Sequence, residues 1–441
     1  MPQPAITRKI KPFQLVALIF FTVSGGPYGL EPLLTYAGEH AAYLILLVVP
    51  FLWDVPAIFV VIELNSMMPI TGGYYKWVKH ALGTRWGFYE GWWTWIYTFV
   101  DLAIYPVLFV TYASFFFPGI EEYRIAVCII IVWLSAGLNI LGIVPVGKVS
   151  LFLGAAVLSP LIILFVLAIY KHAGHMAIPA QTLRGVSFPS LGMALYTIMW
   201  NCLGWDNITT YAEEVEKPIK SYLRSTFIAF ALVMVVYFLA IFVAQQSGIS
   251  HQLFNEGGFP ALGELVSGRW LGAILAAGGM ASSLGIYAAV LLSVSRVPKA
   301  MADDGLLPKR INMLHSRYQT PYISIILCSA VVSFMILWPF AELLIIDVTV
   351  YGAGLSLEYI SLIVLRIKQP HAIRPFKIPL NVFGLCMLIL LPYSMYFIAL
   401  AGAFSAETRS IQAALFAIGT LLTAELMWRM IIWRKPHFKE S

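Results

Sequence analysis

A chain of 441 residues, 60% of them hydrophobic and only 11% charged, with a mean hydropathy of +0.82, lies far outside the range of soluble domains. The composition predicts an all-α integral membrane protein and argues against a soluble enzyme. The net charge of +6 belongs to the loops of one membrane face and calls for no nucleic-acid partner.

Apolar runs long enough to cross a bilayer begin near residues 13, 43, 87, 124, 147, 190, 223, 270, 321, 341, 379 and 411, which predicts twelve spans. Two five-span blocks, 13–170 and 190–368, precede spans eleven and twelve over 379–433, with short tails at 1–12 and 434–441. In alternate loops, Arg124, Lys171, Arg184, Arg269 and Arg409 fall on one side, and every other Lys and Arg falls on the side of the N-terminus. The positive-inside rule then predicts a cell-membrane protein with both termini cytoplasmic. Cys128, Cys202, Cys328 and Cys386 stand singly within apolar runs, and the loop at 117–124 has no cysteine. No metal site and no disulfide-linked partner subunit through that loop are therefore expected.

Span one follows the basic residues Arg8, Lys9 and Lys11 and is interrupted at residues 24–29 by Ser24, Gly25, Gly26, Pro27 and Gly29, with Glu31 just beyond. Proline lacks an amide proton, and glycine gains little from helical geometry. The freed peptide groups cannot be left facing lipid, so a break at this depth lines a binding cavity. Ser24, Gly25 and Gly26 are expected at the substrate, and Glu31 at a coupling or gating position. Span two carries Asp54 and ends at Glu63, before a glycine-containing loop at 69–75 suited to tight re-entry.

Span three sets Tyr97, Asp101 and Tyr105 on one helical face. An ionisable residue near mid-membrane is costly and by default functional, so all three are candidates for substrate contact; the competing reading of Asp101 is an interhelical hydrogen bond, for example to a span-ten tyrosine. Spans four and five have no charged residue in their central portions, and span five has no mid-membrane lysine. Span six repeats the interruption around Gly204, with Asn201, Trp205 and Asp206 as candidates; Asp206 could equally be an N-cap. Glu213 and Glu214 read as part of a cytoplasmic gate. Two broken spans five apart form the pattern of two inverted five-span halves.

Span eight offers Gly279, Ser282 and Ser283 at a spacing that could converge on a sodium ion, the two serines being candidates for coupling or gating, and Tyr287, a candidate for substrate contact, one turn further on. Small residues of this kind more often serve close helix packing. A turn-rich, solvated loop follows at 303–310. Span ten aligns Asp347, Tyr351, Gly354 and Glu358 in one stripe: Tyr351 is a candidate for substrate contact, Asp347 and Glu358 for coupling or gating. Spans eleven and twelve hold few polar residues and are expected at the periphery.

Residues 23–31 (VSGGPYGLE), 100–109 (VDLAIYPVLF), Trp205-Asp206, Glu213-Glu214-Val215, Leu357-Glu358-Tyr359, Leu365-Arg366-Ile367-Lys368 and Arg374-Pro375-Phe376-Lys377 resemble the amino acid, polyamine and organocation transporter superfamily. Within it, the chain is similar to the polyamine uptake branch of plants and protists, next to L-type amino acid transporter-like members. The resemblance covers nearly the whole chain and implies the LeuT-like fold, with spans one and six broken. The chain departs from the branch at Gly204, where a bulky tyrosine is usual, and at Ala288-Ala289, where an acid is usual.

Acids within or near the spans have no mid-span Lys or Arg to meet them, which favours a cationic substrate held by carboxylates and aromatic faces. The expected function is secondary transport of a small cationic amine, by proton symport and alternating access. Glu31, Asp101 and Glu358 are candidate proton carriers, since a carboxyl taken out of water holds its proton more readily. An amino acid carrier, sodium-coupled through span eight, is the alternative, because break amides could receive a carboxylate. A non-transporting nutrient receptor is a third reading. Nothing in the sequence suggests an enzyme or a bound cofactor.

Overall fold

A computed structural model describes residues 10–172, 178–216, 218–337, 340–405, 408–435 and 438. Arg8, Lys9, Lys217 and Lys439, which contribute to the charge asymmetry, lie outside them, as does most of each tail. The chain order begins α1 (Pro12–Val23), α2 (Pro32–Met67), α3 (Gly73–Leu82), α4 (Thr84–Ala113), α5 (Arg124–Leu141) and α6 (Ile143–His172). It continues with α7 (Phe188–Trp200), α8 (Pro218–Gln246), α9 (His251–Ser267), α10 (Arg269–Val294) and α11 (Arg296–Asp303). The last four are α12 (Tyr322–Met335), α13 (Phe340–Lys368), α14 (Val382–Phe404) and α15 (Thr408–Arg434). Short 3₁₀ turns at Pro118–Tyr123, Asn207–Glu214 and Lys309–Asn312 link them. Among the described residues, nine helices are long and apolar enough to cross a membrane, while α1 and α12 are shorter apolar helices.

Local chemistry sets several boundaries. Pro12 opens α1, where its missing amide proton costs nothing. Ser187, Ser250 and Asn381 cap α7, α9 and α14 by accepting the amides of Ser190 (3.2 Å), Leu253 (3.2 Å) and Gly384 (2.8 Å). Inside α2, Gly38 adopts φ +67°, ψ 178°, which separates its first turns from the long run that follows.

The core is built on α4 and α10, which pack against each other; α13 joins α4, and α6 joins α10. The interrupted segments sit against this core, α1 on α6, α8 and α10, and α7 on α2 and α14. Helix α9, in the connection between α8 and α10, is not one of the expected spans. It bends at Gly258 (φ +59°), and a Cβ there would stand 3.0 Å from the Glu31 carboxyl, so the bend packs against the end of the first break that carries Glu31.

Candidate functional site

Helix α1 ends at Val23 because the amides that would continue it are taken elsewhere. The Gly25 amide turns back to the Phe20 carbonyl (2.8 Å), the Gly26 amide donates to Ser24 Oγ (3.1 Å), and Pro27 has none to give. The Phe21, Thr22 and Val23 carbonyls therefore receive none of these donors. Gly25 and Gly26 hold φ +63° and +110°. A Cβ on Gly25 would lie 2.3 Å from Ile286 and 2.9 Å from Ser282 Oγ; on Gly26 it would lie 2.9 Å from Val157. The sequence suggests glycines that leave room for a ligand. The structure instead uses them for a left-handed turn pressed against α10 and α6.

On the far side of the break, Glu31 accepts the Gly29 amide at 2.6 Å and the Tyr112 hydroxyl at 3.0 Å, and it is buried. The second break is wider than expected, since α7 already ends at Trp200 and the 3₁₀ turn starts only at Asn207. Asn201 joins the two breaks: its amide group donates to the Gly29 carbonyl (3.1 Å) and the Thr197 carbonyl (2.8 Å), while the Tyr237 hydroxyl donates to its carbonyl (2.6 Å).

Asp206 heads the 3₁₀ turn without a side-chain capping bond. Its main-chain carbonyl takes the Thr209 amide at 2.9 Å, and its carboxyl accepts the Tyr351 hydroxyl at 2.9 Å. Tyr351 also meets Tyr97 edge to face at 5.3 Å, and Tyr97 exchanges hydrogen bonds with Asn207 at 3.0 and 3.3 Å. Tyr74 donates to the same Asn207 oxygen at 3.3 Å. Three elements, α4, α13 and the second break, thus meet around Asp206.

Further along α4, Tyr105 donates to Asp101 at 2.5 Å and stacks on Trp200 at 6.3 Å. The partner of Asp101 is accordingly a tyrosine of its own helix, and the span-ten tyrosine serves Asp206. Asp347 faces Asp101 electrostatically, as Glu358 faces Asp206 and Glu90. Asp347, Glu358 and Glu90 are 0, 0 and 1% exposed. Both oxygens of Asp347 and Oε2 of Glu90 have no hydrogen-bond partner, and Glu358 meets the Asp206 carboxyl. Glu90 is absent from the sequence-derived candidates. It lies two turns inside α4 on the Asp101 face, a position the periodicity of span three could have revealed.

Other candidates point elsewhere. Trp205 donates to Asp54 of α2 at 3.2 Å, and buried Tyr287 neighbours Ser329 and Cys328 of α12 instead of the acids. Ser283 spends its hydroxyl on the Gly279 carbonyl (3.0 Å), while Ser282 Oγ has no partner and lies beside Gly25. The Ser283 bond is back-bonding along α10.

The end of the molecule that carries Ile10 is closed by ion pairs. Glu214 binds Arg296 at 2.6 Å, Thr71 donates to Glu213 at 2.5 Å, and Ile10 donates its amide to the Glu214 carbonyl at 3.0 Å. Asp304 accepts from Lys76 (2.8 Å) and Tyr75 (2.6 Å) and pairs with Lys79 (2.8 Å). The stretch at 303–310 is therefore more than the solvated loop expected from its turn residues. Half-burial works against ionisation of Asp304, but hydrogen bonds from Lys76, Lys79 and Tyr75 outweigh it and hold its carboxyl below the ordinary aspartate range. Glu63 is buried with Arg366 (2.6 Å) and Arg374 (3.3 Å), which ties α2 to the segment after α13.

The residue pattern of the amino acid permease family matches residues 10–423. Among similar proteins, the polyamine transporter RMV1 of Arabidopsis thaliana is 32% identical over 389 residues, 87% of this chain and 79% of that one. The polyamine transporter PUT1 of Oryza sativa subsp. japonica is 31% identical over 406 residues, 91% and 75% of the two chains. A probable polyamine transporter of Arabidopsis thaliana is 32% identical over 429 residues, 95% and 88%. With buried carboxyls gathered on α4, α13 and the second break and this similarity over most of its length, the chain is a multi-pass membrane transporter, not an enzyme, and belongs to the amino acid permease family.

Proposed function

We propose that the chain is a secondary active transporter that carries a small cationic amine of the polyamine class across the cell membrane. Asp206 and Asp101 receive ammonium groups, and Tyr97, Tyr351 and Tyr105 orient the carboxyls and supply aromatic faces. The observation that carries this reading is the set of buried acids around α4 and α13 whose oxygens lack partners. A carboxylate buried without a counter-charge needs a proton or a cation. The names of the plant relatives agree with a polyamine.

An amino acid would also need free amides for its carboxylate. In the first break, the amides of Ser24, Gly25, Gly26, Gly29 and Leu30 are already bound within the protein, which favours an amine without a carboxylate. Coupling is assigned to protons carried by Glu31, the candidate that takes no ammonium group in this reading: it is buried and accepts from the Gly29 amide and the Tyr112 hydroxyl, both neutral donors. The two interruptions support a twelve-span arrangement in which the first ten spans form inverted halves, broken at spans one and six, with α14 and α15 peripheral. Both termini face the cytoplasm in this reading, and alternating access opens the centre to each side in turn.

Uptake of labelled putrescine, spermidine, arginine, leucine and choline into proteoliposomes, with imposed pH or sodium gradients, tests it. The expected result is polyamine uptake driven by an inward proton gradient and indifferent to sodium. Sodium-driven leucine uptake without polyamine uptake would establish the amino acid alternative, and binding without flux would establish a receptor.

A further inference from the structure

The acids on α4 and α13 repeat at one spacing. Glu90 and Asp101 are eleven positions apart on α4, and Asp347 and Glu358 are eleven apart on α13. Eleven residues make three helical turns and a rise of roughly 16 Å, so each pair stays on one face. The helices pack together, with Asp101 near Asp347 and Glu90 near Glu358. They therefore run antiparallel and present two carboxyl layers instead of one cluster. Asp206 adds its carboxyl beside Glu358, and Tyr97 and Tyr351 lie between the layers.

Acid clusters arise in proteins for structural reasons, usually with arginine or lysine partners, as at Glu63 with Arg366 and Arg374. The layered acids differ. Both oxygens of Asp347 and Oε2 of Glu90 are buried without a hydrogen-bond partner, Glu358 is buried against the Asp206 carboxyl, and no lysine or arginine pairs with them among the described residues. Gly354 makes the lower layer possible: its missing side chain leaves Glu90 Oε1 only 3.1 Å from where a Cβ would stand. Glu90 is thereby pressed against α13, beside Glu358.

Resting on the cationic-amine reading above, we propose that Glu90 and Glu358 form a second ammonium seat about 16 Å from the seat at Asp101 and Asp347. The two seats act as a ruler that favours linear polyamines with widely separated terminal amines over short diamines. An extended chain with bonds near 1.5 Å advances roughly 1.25 Å per bond, so the ~13 bonds between the terminal nitrogens of spermine cover ~16 Å. The ~5 bonds of putrescine cover only ~6 Å and reach one seat at a time. Tyr97 and Tyr351 then face the methylene run and any inner ammonium group.

The test is competition against labelled spermidine uptake in proteoliposomes by α,ω-diamines of increasing length, putrescine and spermine, for the wild type, Glu358→Gln and Glu90→Gln. In the wild type, spermine should compete at least about tenfold better than putrescine. Glu358→Gln should weaken spermine about tenfold and putrescine less than about twofold, which flattens the length dependence. Glu90→Gln should do the same in the lower layer, and the thermal stability of each purified variant separates lost folding from lost binding. Equal competition by all lengths in the wild type, or equal weakening of putrescine and spermine in folded variants, overturns the ruler while leaving amine transport intact. Absence of uptake of any amine by the wild type overturns the cationic-substrate reading itself, and the ruler with it.

Discussion

The carboxyl of Asp206 stands at the head of a 3₁₀ turn, where an aspartate ordinarily accepts a backbone amide. Here it accepts the hydroxyl of Tyr351 at 2.9 Å instead, and the turn is held by its main-chain carbonyl. A single neutral hydrogen bond of this kind contributes roughly 0.5–1.5 kcal/mol net, and somewhat more when the acceptor is charged. Tyr351→Phe should therefore weaken amine affinity several-fold while the fold persists; unchanged affinity by direct binding would show that Tyr351 only packs. Residue identity was legible in the sequence wherever the residue was conspicuous: Asp101, Asp206, Asp347 and Glu358 are acids in apolar runs. Glu90 escaped because it lies near the start of span three, where an acid reads as an interfacial residue. Trp205 and Tyr287 show the converse. Their type suits a binding site, but Asp54 holds one and the other turns to α12, and neither direction is encoded in local spacing.

The same division appears in the elements. The start of the first break is legible at Ser24, because Gly25, Gly26 and Pro27 forbid a helix through steric and donor chemistry alone, while its end lies two residues past Gly29, before α2 begins at Pro32. The second extends back to Asn201, where nothing local forbids a helix. There the backbone is captured by tertiary bonds from Tyr237 and through the Asn201 side chain to Gly29. Helix α9 was missed because a kinked, partly polar helix lacks the uninterrupted apolar run that marks a span. At Gly25 the structure changes the expected consequence of substitution. Gly25→Ala places a Cβ at φ +63° and 2.3 Å from Ile286, so it should cost about 1–3 kcal/mol through backbone strain and overpacking. The loss should appear in thermal unfolding of the purified protein even without substrate. Wild-type stability with lost binding would instead restore the glycine as a ligand-approach residue.

At the scale of the whole molecule, closure at the Ile10 end rests on charges contributed by α3, α11 and the 3₁₀ turn after Asp206. Because the Asp304 carboxyl is held below its ordinary range, its contribution is complete at neutral pH, above the unfolded value near 4. That contribution fades as pH falls through the lower folded value. Asp304→Asn should loosen this end at neutral pH, seen as faster amide exchange in residues 73–82, and exchange equal to wild type would remove Asp304 from the closure. The apolar character of the long helices can be read from hydropathy, since lipid imposes it on each segment separately. The meeting of α4, α13 and the second break depends on long-range packing, and so does the layering of their acids. The most direct test of the central claim is equilibrium binding of labelled spermidine to the purified wild type and Asp206→Asn, with leucine as competitor. Saturable spermidine binding that leucine does not displace, weakened at least about tenfold in Asp206→Asn, is the predicted result. Unchanged spermidine affinity in a folded Asp206→Asn, or displacement by leucine, would contradict it.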